Sequence, residues 1–312
     1  MTTYILKRLL AMIPVMLLVS MVVFVVMQLT PGDLAVTMLG EEARPELLQA
    51  LRHDLGLDQP IPIRYVNWLS QVVRGDFGRI LRTNQPVLEA ILERLPATVE
   101  LTLLALLVSL SIAIPTGIIS ATRRGSRSDL VVTTLALSGV SMPGFVLALL
   151  LVLIFSSWLR WLPNIGYTPI QKDLGANLKG MIMPALTLGT AAAAVVARLT
   201  RSSLLEVLGQ EYIRTARAKG LREQTVIYTH ALKNAMIPVV TIIGLQLGAL
   251  LGGAVITERI FVLPGVGNLI VDAIFQKEFL LVQGAVLFLA LIFQFANLLV
   301  DVLYAFLDPR IR

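Results

Sequence analysis

Long uninterrupted apolar blocks constrain this chain more than any local motif does. From Leu9 to Leu29 the run is broken only by Pro14, Ser20 and Gln28. Blocks of the same character recur at Ala97–Thr122, Asp129–Leu159, Met181–Leu199, Ile237–Glu258 and Val282–Phe306. Crossing a hydrocarbon layer about 30 Å thick takes about 20 apolar residues in a helix, so each block is long enough to span. Hydrophobic residues make up 56% of the 312 positions and charged residues 15%, well below the charged share of a soluble domain. The expectation is an all-α polytopic membrane protein with about six transmembrane helices. The first block is too long for a cleavable leader and lacks a small-residue cleavage pattern, so it reads as a retained span. The third block contains Pro143-Gly144 and predicts a tilted or broken helix.

Basic residues set the orientation. With both termini cytoplasmic, the inner pieces are the N-terminal end, Arg123–Arg127, Arg198–Met236 and Leu307–Arg312. They hold 14 of the 26 Lys and Arg in half the length of the opposite side, as the positive-inside tendency requires. The net charge of +6 is thereby explained without nucleic acid. Residues 1–29 form the N-terminal end and first span, residues 30–96 an extracytoplasmic helical segment, and residues 97–312 a five-helix core with an inner segment at 198–236. Within the outer segment, Pro45 starts a helix stopped by Gly56, Pro62 starts another ended by Gly75, and Val87–Leu95 suggests a third. Short amphipathic helices of this kind lie on the membrane surface or pack over the bundle.

Much chemistry is excluded. Absence of cysteine removes disulfides and thiol sites. There is no phosphate-binding loop for ATP. The two histidines, His53 and His230, are too few and too far apart for a histidine-rich metal site. Neither reaches the depth of Ser141, the one serine turn that resembles an intramembrane protease. No metal, cofactor or catalytic residue is expected. An ion-coupled secondary transporter remains the rival, although the spans show no repeat and their acids, Glu100, Asp129, Glu258 and Asp301, lie near predicted ends.

Polar residues inside spans are costly and face protein or water. Gln294, Asn297 and Asp301 share one face of the last span, either as a pore-facing stripe or as interhelical hydrogen bonders. Gly244, Gly248 and Gly252 recur every four residues and predict a close packing seam, within the chain or with a partner. Gln246 lies on another face, within reach of a water-filled path.

The inner segment Arg198–Met236 is too polar to span. Residues 204–219 have helical composition, Gly220 is a natural stop, and Glu223 to about Leu232 predicts a second helix. Two short helices joined at a glycine would make a knob exposing Arg214, Arg217, Lys219 and Arg222. The alternative is a solvated loop that only enforces topology.

The run Tyr212-Ile213-Arg214-Thr215-Ala216-Arg217-Ala218-Lys219-Gly220-Leu221 resembles the cytoplasmic loop of ABC-importer permeases, in the form found in the dipeptide, oligopeptide and nickel branch. The general pattern of that loop is Glu-Ala-Ala, three residues, Gly, nine residues, Ile, one residue, Leu-Pro. Ala216, Gly220 and Leu232 match it, while Lys233 stands where proline is common. Thr30–Asp33, Gly75–Gly78, Arg94–Thr98, Phe261–Gly267 and Leu307–Arg312 resemble the same branch in order and spacing. The resemblance implies a non-catalytic subunit in the bacterial inner membrane. Its partners would be a second homologous permease, two cytoplasmic ATPases, an extracytoplasmic solute-binding protein and membrane lipid. Residues 212–222, including Arg222, would form the ATPase-coupling helix, with Gly220 permitting its turn and Ala216 a close approach. Peptide is the first choice of cargo; nickel complexes, glutathione and oligosaccharides also occur in the branch.

Overall fold

A computed structural model describes residues 2–29, 36, 44–54, 58–131, 133–134 and 142–307. Helices account for nearly every element. In order they are α1 (Thr2–Leu29), α2 (Pro45–Asp54), α3 (Ile61–Val73), α4 (Val87–Thr122), α5 (Gly144–Leu151) with a π-helical extension at Val152–Trp158, and α6 (Leu174–Leu208). Then come α7 (Glu211–Ala218), α8 (Glu223–Thr225) with a π-helical stretch at Val226–Ala231, α9 (Leu232–Ile260), α10 (Val266–Gln276) and α11 (Phe279–Leu307). Among the described residues five helices are long and apolar enough to cross a membrane: α1, α4, α6, the continuous α8–α9 rod and α11. The third expected span lies partly outside the described residues. Its described half begins at Pro143, extended at ψ 134°, and runs through Gly144–Trp158, so a helix starts at the Pro143-Gly144 pair. Ser141, Gly56, Thr30–Asp33 and the tail 308–312 lie outside the described residues.

Three boundaries differ from the sequence reading. Val87–Leu95 is no separate surface helix but the start of α4, which continues through Pro96 and Pro115 for 36 residues. Proline removes only one ladder bond, and the buried Val87, Ala90 and Ile91 clamp these first turns against Val266, Ala273, Leu281 and Val282. The fourth span is longer than expected because Asp173 caps α6, its carboxylate accepting the Ala176 amide at 3.0 Å. The helix expected over 204–219 is interrupted at Gly209-Gln210, and the one expected from Glu223 does not stop near Leu232 but flows into α9. The inner segment is therefore one short helix slung between two long ones.

The core is built by small residues. A Cβ on Gly117 would sit 2.6 Å from the Thr200 side chain, and one on Gly189 would sit 2.5 Å from the Ala105 carbonyl oxygen. With Ala113, Ala193 and Ala197 in the same seam, α4 and α6 approach closely enough for dispersion contacts to hold them in a solvent as apolar as their own side chains. The aromatics Phe24, Tyr65 and Trp68 fasten α3 onto α1.

Candidate functional site

The inner knob is held in a defined orientation. Helix α6 ends at Gly209, Gln210 is extended at ψ 149°, and α7 starts at Glu211. At its far end the Gly220 amide donates to the Arg217 carbonyl at 2.9 Å and the Leu221 amide to Ala216 at 3.4 Å. This is the Schellman arrangement, which needs a left-handed residue just past the helix. Gly220 supplies it at φ +76°, with no described residue crowding the place of a Cβ, so the requirement is on the backbone, not on volume.

Helix α7 has one inward edge. Ile213 is 0% and Ala216 8% exposed, and both pack with Ile118, Ala121, Leu204, Val226, Ala231 and Ala235. Those partners belong to α4, α6 and the α8–α9 rod. The close approach that Ala216 permits here is to the chain's own bundle. Tyr212 holds a second tie: the Asn234 side-chain amide donates to its hydroxyl at 2.8 Å.

The outward edge carries Tyr212, Arg214, Thr215, Arg217, Ala218, Lys219, Gly220, Leu221 and Arg222, all exposed. Two of the four cations are used locally. Arg214 pairs with Glu211 at 2.8 Å, and Arg217 grips Glu223 through Nη2 at 2.7 Å and Nε at 3.1 Å. The second pair bridges the Gly220 turn. Exposed pairs add little stability; this one links α7 to the start of the rod across the turn. Lys219 and Arg222 have no carboxylate within ion-pair distance among the described residues, and with the exposed Leu221 they form the outermost corner.

A polar cluster behind the knob was not anticipated. The Asp129 carboxylate accepts from Ser120, from the Gly125 amide at 3.0 Å, from Thr133 at 3.2 Å and from Arg201 Nη2 at 3.1 Å. It joins the ends of α4 and α6 to the start of the third span. Sequence alone shows only an acid at a span boundary; Arg201 lies 72 residues away.

The stripe Gln294, Asn297 and Asp301 does face open space. With Arg8, Thr241 and Gly244 it lines a cavity of about 550 Å³ between α1, α9 and α11, and Asp301 pairs with Arg8 at 3.2 Å. Gln246 is elsewhere: its amide reaches the Ala192 carbonyl at 3.4 Å, tying α9 to α6 and not lining that cavity. The glycine seam is internal at two of its three positions. A Cβ on Gly244 would come 2.0 Å from Val300, and one on Gly248 would come 1.6 Å from Phe293, both on α11. Among the described residues Gly252 meets nothing within 4 Å.

At the outer end, Glu258 is fully buried beneath α10. The Thr98 hydroxyl donates to Glu258 Oε1 at 2.6 Å, and the Asn268 amide to Oε2 at 2.9 Å. A carboxylate at a helix N-terminus is favoured by the free amides there, and Gly265 leaves the room: a Cβ would lie 2.1 Å from the Glu258 carboxyl carbon. Glu278 similarly accepts from the Leu81 and Arg82 amides at 2.9 and 3.2 Å. In the loop before α6, burial and then the hydrogen bond to Glu100 push the Tyr167 phenol up to about 12, so the Tyr167 hydroxyl stays a donor to Glu100 at 2.9 Å.

The family described as "Binding-protein-dependent transport system inner membrane component" matches residues 113–312, and its N-terminal companion matches residues 1–102. The chain is 43% identical to the dipeptide transport system permease protein DppB of Alkalihalophilus pseudofirmus, covering all of both chains. It is 43% identical to the glutathione transport system permease protein GsiC of Salmonella choleraesuis, over 100% of this chain and 99% of that one. Among solved structures, an amino acid ABC transporter crystallised with histidines matches with a TM-score of 0.50 at 15% identity. That match covers 71% of this chain and 94% of the other, a likeness of fold.

Proposed function

Since the chain belongs to the family of binding-protein-dependent transport system inner membrane components and is a multi-pass permease of an ABC importer, we propose that it carries peptides and that residues 212–222 are its ATPase-coupling surface. Its similarity over full length to permeases named for dipeptides and glutathione supports a short-peptide cargo. The family works with a binding protein and an ATPase; the complement proposed here is a second homologous permease, two cytoplasmic ATPases and one extracytoplasmic solute-binding protein. The proposed division of labour keeps residues 1–29 as anchor, 30–96 as outer segment and 97–312 as the translocating core.

The observation that carries the coupling role is the two-sided character of α7. Its inner edge, Ile213 and Ala216, is packed into three spans at once, while its outer edge is exposed and basic. Force applied to the outer corner by ATPase closure would be delivered to α4, α6 and α9 together, because a packed interface shifts as a unit and does not deform continuously. The Asp129–Arg201 cluster extends that rigid body to the third span. Hydrolysis belongs to the ATPases; this chain supplies lever and path.

The test is reconstitution. Purified with its partners, the permease should show peptide uptake that needs ATP and the binding protein. A cysteine at Lys219 should crosslink to an ATPase subunit. Uptake by this chain alone under an ion gradient would overturn the reading in favour of a secondary transporter.

A further inference from the structure

Helix α3 belongs by sequence to the outer segment, yet it sits well inside the outer ends of two spans. The Tyr65 and Trp68 rings pack on Phe24 with centroids 5.5 and 5.6 Å away. The Tyr65 hydroxyl shares a hydrogen bond of 2.8 Å with Ser20 Oγ. Phe24 and Ser20 lie five and nine residues inward of Leu29, the outermost described residue of α1. At about 1.5 Å per residue these are depths of about 8 and 14 Å. The last span gives a second measure: Leu287, which completes the cluster with Phe24 and Trp68, lies eight residues inward of Phe279, or about 12 Å. Half of a hydrocarbon core is about 15 Å, so both spans put α3 within the outer leaflet.

The hydroxyls at the contact between α1 and α3 agree with that depth. Ser20 is 1% exposed, and the Tyr65 hydroxyl is satisfied by protein, as a hydroxyl beyond the reach of water must be. Arg64, Asn67 and Gln71 follow one another at helical spacing along a single strip, from which a long side chain can extend to headgroups. On a different edge, Ile63, Val66 and Val73 are 49%, 61% and 80% exposed. On α1 itself, Leu18, Met21, Val22 and Val25, away from the face that meets α3, are exposed as well. We propose that α3 is an outer-leaflet helix wedged between the first and last spans, with its Ile63–Val66–Val73 edge covered by phospholipid acyl chains. On this assignment the outer segment is anchored at leaflet depth and is not a free platform above the membrane. The proposal stands apart from cargo and coupling, since neither enters its argument.

The native chain has no cysteine, which makes the test direct. Val66→Cys and Thr83→Cys variants, each in the full complex in phospholipid nanodiscs, are labelled with a charged, membrane-impermeant maleimide. Thr83 lies in an exposed outer turn. The thiolate is the reacting species and is suppressed in apolar surroundings, so V66C should label at least about tenfold more slowly than T83C. A bimane placed on V66C by a permeant reagent should then be quenched by brominated acyl chains. Labelling of V66C at the T83C rate would overturn the proposal. Slow labelling without lipid quenching would overturn it too, by assigning the edge to a protein partner. Both substituted side chains are exposed, so complex assembly should match wild type.

Discussion

Thr98 and Glu258 meet across 160 residues of sequence, the hydroxyl donating to the carboxyl at 2.6 Å while accepting the Val266 amide at 2.8 Å. One hydroxyl thus closes the gap between the second span, the fifth span and the first turn of α10. Thr98→Val keeps the shape and removes both bonds, leaving a buried amide and a carboxyl oxygen short of a partner. A loss of about 1–3 kcal/mol is expected. It should be read as a lower thermal midpoint of the detergent-solubilised complex, with Thr98→Ser close to wild type.

The Gly220 turn makes a ranked prediction. A non-glycine residue in the left-handed region costs about 1–2 kcal/mol, and asparagine bears it best. Because nothing crowds the position, Gly220→Asn should retain most transport, Gly220→Ala less, and Gly220→Val least, with membrane insertion unchanged in all three. Equal transport by the Asn and Val variants would show that the turn is not what couples α7.

Ile213 separates packing from docking. Its side chain is wholly buried against the bundle, and truncation to alanine should cost about 2–5 kcal/mol of local packing. The expected phenotype is ATPase subunits that still bind, with hydrolysis no longer stimulated by the loaded binding protein. Lys219→Glu, on the outer corner, should instead weaken ATPase binding, measured by copurification. Ala216→Asp should abolish transport through burial of an unpaired charge.

The glycine seam predicts an order as well. Gly248→Ala would press on Phe293 and Gly244→Ala on Val300, whereas Gly252→Ala meets no described residue. Overpacking typically costs about 1–3 kcal/mol. The first two variants should lower the yield of folded permease, and the third should not. A Gly252 variant as damaged as the others would mean that a partner subunit lies against that face.

The spans and the polar basic segment between them were legible because a bilayer imposes a simple rule on composition: about 20 apolar residues to cross, with cations kept out of the crossing. The stop at Gly220 and the helix start at Pro143-Gly144 were legible for a similar reason, since each rests on a local backbone property. What lay beyond the sequence were partnerships over long separations. Val87–Leu95 reads as a free amphipathic helix until the walls that bury Val87 and Ile91 are present. Ala216 reads equally well as an outward or an inward contact until its neighbours Leu204 and Val226 are in place. Asp129 with Arg201, Glu258 with Thr98, and Tyr65 with Ser20 are each one polar residue in an apolar context, and nothing local says which distant group satisfies it. The sequence alone determined what must be in the membrane, because that is a matter of solvent. Only the tertiary structure decided which buried polar groups meet, because in hydrocarbon they have no water to fall back on and the packing of helices chooses their partners.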